Sequence, residues 1–195
     1  MAVNPWDMHD KKEENGNATN EKGMDQVILP DSLKSHAEAL GGLVIIWSAL
    51  ELQLSIMLGT MLDIEFTSKG DVLTGNIEMK PRLQILRALG VVVGENVPNN
   101  WYGRLILLLN TIENDLCRER NRMIHDIWAT TDLPEELMRI TLKPKILKQP
   151  VEMKMERLPI SARAISNLSY RVLVASKEIA GLTIELKPSL KDKSL

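Results

Sequence analysis

Apolar positions along this chain recur at two different periods, and the change of period marks its segments. From Ser32 the apolar residues first fall at helical spacing and then crowd together between Leu40 and Leu62. Pro30-Asp31-Ser32 supplies a helix start, with a small polar cap before the apolar run, so one long helix is predicted over about Ser32 to Leu62. Its centre is apolar on nearly all sides. A membrane span has the same length, but Glu51 and Gln53 sit near its midpoint, each costly in lipid, and no basic clusters flank it. Burial by bundle neighbours and by a second subunit is the expectation. Ser48, Glu51 and Ser55 share one stripe of this helix. A buried carboxylate needs a partner, so Glu51 is expected to meet Arg120 or Arg122.

Thr67 to Asn76, with Gly70, Gly75 and Asn76, predicts a turn region. A second helix follows from about Glu78 or Pro81 to Leu89, ended by Val91-Val92-Val93-Gly94. A third begins near Trp101 after Val97-Pro98-Asn99-Asn100 and buries Leu105, Ile106, Leu108, Leu109, Ile112 and Leu116. Beyond Trp128 the period changes to two. Met138, Ile140 and Leu142 alternate with Arg139, Thr141 and Lys143, and Val151, Met153 and Met155 alternate with Glu152, Lys154 and Glu156. A small hairpin around a Pro144–Pro150 connection is predicted, leaning on the helices because two strands alone are marginal. Pro159-Ile160-Ser161 opens a last helix to about Leu186. The expected fold is mainly all-α: an up-and-down bundle of four to five helices (residues 31–187) with a β-hairpin insertion before the last helix. It lies between a disordered acidic tail (1–30) and a frayed end (188–195).

Composition narrows the class. The 195 residues suit one domain with a real core, and the single cysteine, Cys117, permits no internal disulfide, which points to a reducing cytoplasm. No apolar signal region precedes Asn20. Six acids against three lysines in residues 1–28 leave twenty acids and twenty-one bases for the remainder. Contact with a polyanion must therefore come from a local basic cluster.

That cluster is Arg118-Glu119-Arg120-Asn121-Arg122-Met123-Ile124-His125-Asp126-Ile127-Trp128, with three arginines and a histidine within eight residues. Arginine presents a fixed fork of donors that suits phosphate. Histidine exchanges a proton near neutral pH. Together they suggest phosphodiester chemistry. No second His or Cys is spaced to join His9 or His36 as a metal ligand, and no cofactor is implied. On an unbroken helix at 100° per residue, Asn114, Arg118, Asn121 and Arg122 lie within about 60° of His125, while Arg120 points about 140° away from it. Arg120 then joins them only through a distorted helix, by reaching another subunit, or by turning back to Glu51.

Arg120-Asn121-x-x-x-His125 resembles the R-x4-6-H signature of HEPN-domain proteins, in which a polar residue commonly follows the Arg. Trp47-Ser-Ala-Leu-Glu51 resembles that family's apolar first helix with a mid-helix Glu. Ile124-His125-Asp126-Ile127-Trp128 resembles the H-x-x-W of one bacterial branch, which continues with a strand pair and a closing helix. The similarity covers about Ser32 to Leu186. It implies a homodimer whose two motifs form a cleft that cuts single-stranded RNA without metal, often as a toxin or phage-defence effector, with an antitoxin or regulatory protein as a possible partner. Catalytic roles would fall to Arg120, Asn121 and His125, RNA contacts to Arg118 and Arg122, and structural support to Glu51 and Trp128. The alternatives are an inactive module of this fold that binds RNA or a protein, and an unrelated helical interaction protein.

Overall fold

The computed structural model describes residues 31–64, 74–95, 97–130, 136–145 and 152–191. The expected tail at 1–30, the loop at 131–135, much of the turn region after Thr67 and most of the proline-flanked connection lie outside them. Described are helix α1 (Asp31–Met61), α2 (Met79–Gly94) and α3 (Trp101–Thr111), which passes through a π turn (Ile112–Leu116) into α4 (Cys117–His125). Strands β1 (Ile127–Thr130), β2 (Glu136–Lys145) and β3 (Glu152–Ser161) follow, and α5 (Ala162–Lys191) closes the fold. Among these residues the chain is mainly α-helical, with a small antiparallel sheet ahead of the last helix, as the period change predicted.

The core forms where α1 lies along α5, with α2 and α3 against the pair. Leu43, Leu50, Leu54, Met57 and Leu58 of α1 meet Ile165, Val172 and Ile179 of α5 in one apolar cluster. Trp101 anchors the start of α3 there, fully buried, its indole donating to the Leu182 carbonyl at 2.8 Å. Asn99 and Asn100 make the turn before it at left-handed φ of 62° and 51°, which Asn tolerates better than most residues. The long first helix is apolar enough over Leu33–Met61 to cross a membrane by length and composition, and a third of that window is buried inside the fold. Val44, Ile45 and Leu52 remain exposed on its outer side.

Four predicted boundaries move. Helix α2 continues through Val91-Val92-Val93 to Gly94 because Gly90 and Gly94, one turn apart, let it lie directly on α3. A Cβ at Gly90 would stand 3.0 Å from Leu105 Cδ2, and one at Gly94 would stand 3.1 Å from Tyr102 Cβ. Packing here overrides the weak helix preference of valine. The sheet has three strands rather than two, because Ile127–Thr130 pairs with β2 (Ile127 opposite Ile140, Thr130 opposite Leu137). Strand β3 absorbs Pro159 and Ile160. As an edge strand it has no ladder partner on one side, so a proline costs it little. Ser161 caps α5 instead, its hydroxyl accepting from the Ala164 amide at 3.2 Å. Finally, α5 runs on past Pro188 to Lys191.

Candidate nucleic-acid interface

The basic cluster sits on α4, and the π turn before it decides which way each residue faces. The Cys117 amide donates to the Ile112 carbonyl, five residues back, so one extra residue is inserted into the helical ladder. Downstream the helix is regular. Across the turn the phase slips by about one residue, so Glu113 takes the place that an unbroken helix would give Asn114, one turn above Arg118. The result is an open groove of about 490 Å3 lined by Glu113, Cys117, Arg118, Asn121, Arg122, His125 and Asp126. Helical spacing therefore placed Arg118, Asn121, Arg122 and His125 together, as found. Arg120 is not part of the lining.

Arg120 turns back toward α1, but it meets Trp47 there rather than Glu51. Its guanidinium carbon lies 5.5 Å from the centre of the Trp47 ring, a cation–π stack. Nη1 donates to the Asn121 side-chain oxygen at 3.1 Å, and Nε is buried with no hydrogen-bond partner among the described residues. With its oxygen held by Arg120, the Asn121 amide presents its NH2 as a donor. The Trp47 indole in turn donates to Glu51 Oε1 at 3.0 Å. Glu51 thus satisfies its carboxylate on its own helix, four residues back, and forms no ion pair with Arg120 or Arg122 within the chain. The arginine that does reach Glu51 is Arg82, which donates to its backbone carbonyl (3.2 Å) and to those of Thr74 and Ile77. Burial pushes the Arg82 guanidinium down from its ordinary pKa, and the Glu51 charge opposes this.

The two acids that line the groove are each paired with an arginine from another element. Glu113 pairs with Arg87 of α2 at 2.6 Å. Asp126 pairs with Arg139 of β2 at 3.3 Å, where Arg139 is nearly buried. By contrast Arg118, Arg122 and His125 form no ion pair among the described residues. Arg139 was expected on the polar side of its strand. The period of two is right but the faces are exchanged: Leu137 and Arg139 point inward, while Met138 and Ile140 are only half-buried. Cys117, partly buried in the groove wall, has its thiol pKa pushed up to about 11 by burial, with the Glu113 charge adding to the rise and Arg120 opposing it.

Trp128 stabilises the end of α4. Its indole donates to the Met123 carbonyl at 3.0 Å, one of the acceptors a helix C-terminus leaves open. Its ring meets the buried His36 edge-on at 6.4 Å, and His36 Nε2 lies 2.8 Å from the Ile160 carbonyl. His36 is therefore a structural histidine joining α1 to β3. Sequence reasoning missed Arg87, Arg139 and the stacking role of Trp47. Only Trp47–Glu51 had a visible signal, an i, i+4 pair on one helix. Among the described residues no three of His, Cys, Asp and Glu gather to hold a metal ion. Compared with protein-family models, with curated proteins and with solved structures, the chain matches none.

Proposed function

We propose that the α4 groove binds single-stranded RNA and that two copies of the chain cleave it without a metal ion. One observation carries this reading. Both acids of the groove are neutralised from outside by Arg87 and Arg139, while Arg118, Arg122 and His125 form no ion pair among the described residues and can offer their donors to an anion. A polyanion whose phosphates are reached from one side suits such a groove, and arginine forks suit its oxygens. RNA brings its own nucleophile, the 2′-OH beside each phosphate. The protein then has to move protons and offset charge.

In this reading His125 of one copy takes the 2′-OH proton as the oxygen attacks phosphorus, and His125 of the second copy protonates the departing 5′-oxygen. The products are a 2′,3′-cyclic phosphate and a 5′-OH. Arg118 and Arg122 offset the charge that builds on the phosphate, and the Asn121 amide orients it. Arg120 acts through Asn121, clamped between the Trp47 face and the Asn121 oxygen. The exposed Val44, Ile45 and Leu52 stand on the outer side of α1, turned away from the buried Leu50 and Leu54, and they support a homodimer whose second copy covers them. An interface above about 1,200 Å2 is expected for a specific dimer.

The test is an oligoribonucleotide incubated with the protein in excess EDTA. Cleavage is expected for RNA and not for the matching DNA strand, with His125→Ala lowering the rate by roughly 10²–10⁴-fold. Arg120→Lys is expected to fail as well, since a point charge cannot span both the indole face and the Asn121 oxygen. RNA bound but never cut would leave a binding module. Cleavage that EDTA abolishes and His125→Ala spares would end the proposal.

A further inference from the structure

On the other side of the π turn a second trough, of about 770 Å3, runs between α3 and α5. Single exposed apolar residues are ordinary on a protein surface. Here, however, Leu107 (70% exposed), Tyr170 (66%) and Val174 stand along the two walls of one channel, above a floor that includes Leu108 and Leu182. The trough is closed at each end by charge. Arg104 bonds Glu185 at one end, and Arg171 bonds Asp115 and Glu119 at the other. From Arg104 to Asp115 is about 16 Å along the helix, or three turns.

We infer that this trough is the docking site for a short, basic amphipathic helix of a partner protein. A straight channel between two helices receives a third helix with its side chains seated between theirs. Three turns of such a helix, with apolar residues at i, i+3 or i+4, and i+7, span the apolar stretch between the two charged ends. Its flanks must be basic. Both arginines at the rim are already held by acids, and Glu178 lines the channel with no ion-pair partner among the described residues. Asp115, Glu119, Glu178 and Glu185 outnumber Arg104 and Arg171 by two. The same excess repels RNA, so the trough is not an extension of the α4 groove, and the inference does not depend on the nuclease reading.

The full-length chain would be used to select from a library of displayed helical peptides with no charge bias. Enriched peptides are expected to carry the three apolar positions with Lys or Arg beside them, and the best synthetic peptide to bind at micromolar concentration. Leu107→Glu, on a residue exposed enough to leave folding intact by circular dichroism, should weaken that peptide at least tenfold. Glu178→Lys should weaken it several-fold while favouring acidic flanks in a repeated selection. Enriched peptides that are acidic or uncharged, or affinity unmoved by Leu107→Glu, would overturn the inference. So would sedimentation showing a dimer that Leu107→Glu reduces to monomer, since a second copy would then occupy the trough.

Discussion

One helical run, Trp101 to His125, borders two grooves of opposite character, and the π turn at Ile112–Leu116 separates them. Before the turn the channel is apolar and its arginines are tied to acids that share its rim. After the turn the groove is polar, and its acids are tied to arginines that come from other elements. The direction in which a charge is neutralised therefore decides what a surface offers. Arg104 and Arg171 are occupied and leave an acidic, apolar trough. Among the described residues Arg118 and Arg122 form no ion pair, and the two acids beside them are engaged by Arg87 and Arg139.

The sharpest way to break this arrangement is at Asp126. Arg139 is 5% exposed, so deleting its acid leaves a guanidinium almost buried and uncompensated. Asp126→Ala should cost on the order of 3–5 kcal/mol in unfolding free energy, visible as a large fall in Tm. Replacing Arg139 and Asp126 together by Met and Ala should recover much of the loss. If the single substitution is nearly neutral, the pair does not hold the end of α4 to the sheet.

Arg118→Gln with Arg122→Gln comes next, acting on affinity rather than stability. Each phosphate contact to a single strand contributes about 0.7 to the slope of log affinity against log salt. Losing both cations should flatten that slope by about 1.4 and weaken RNA binding at least tenfold at low salt. The same substitutions should leave peptide binding in the α3–α5 trough unchanged. An unaltered salt slope would mean that RNA, if bound, lies elsewhere.

Why the sequence showed one groove and only part of the other follows from the physics of each. The cluster Arg118, Asn121, Arg122 and His125 was legible because a 3.6-residue period needs nothing beyond spacing. Glu113 was not, since a one-residue insertion in the hydrogen-bond ladder leaves no mark on the apolar pattern. The π turn moved the groove's upper edge from Asn114 to Glu113. Arg139 was misplaced for a related reason: alternation fixes which residues share a face, but a buried ion pair can turn the polar face inward. Strand β1 escaped notice because four residues carry too little alternation to stand out, and its partner lies several residues further along. The α1–α5 core and the order of elements were visible because they rest on long apolar runs.

Cys117 gives a milder probe of the polar groove. Its thiol pKa is raised to about 11 by burial first and by Glu113 second. A raised value means that the folded state holds the proton more tightly than the unfolded chain, whose cysteines titrate near 8.5. The contribution to stability is therefore complete below that pH and is lost as pH climbs through about 11. Unfolding free energy should fall across this window by at most about 1.4 kcal/mol per pH unit. Cys117→Ala should flatten the fall. A wild-type curve with no slope there would place the thiol in water.

The smallest effect separates the two grooves most cleanly, because it alters the direction of neutralisation alone. Arg87 and Glu113 are partly exposed, so their pair contributes roughly 0–1 kcal/mol to stability and either partner can be removed without unfolding the chain. Their effects on RNA should have opposite signs. Arg87→Gln strips Glu113 of its counter-charge and leaves a carboxylate facing the phosphates, so binding should weaken a few-fold. Glu113→Gln removes that carboxylate, so binding should tighten by a similar factor, and the Cys117 thiol should titrate lower because one of the charges that raised it is gone. A pair that merely stiffened the α2–α3 contact would move both variants the same way and leave the thiol where it was. Opposite shifts in RNA affinity, with the thiol following Glu113 alone, would identify Arg87 as the residue that neutralises the acid in the groove wall.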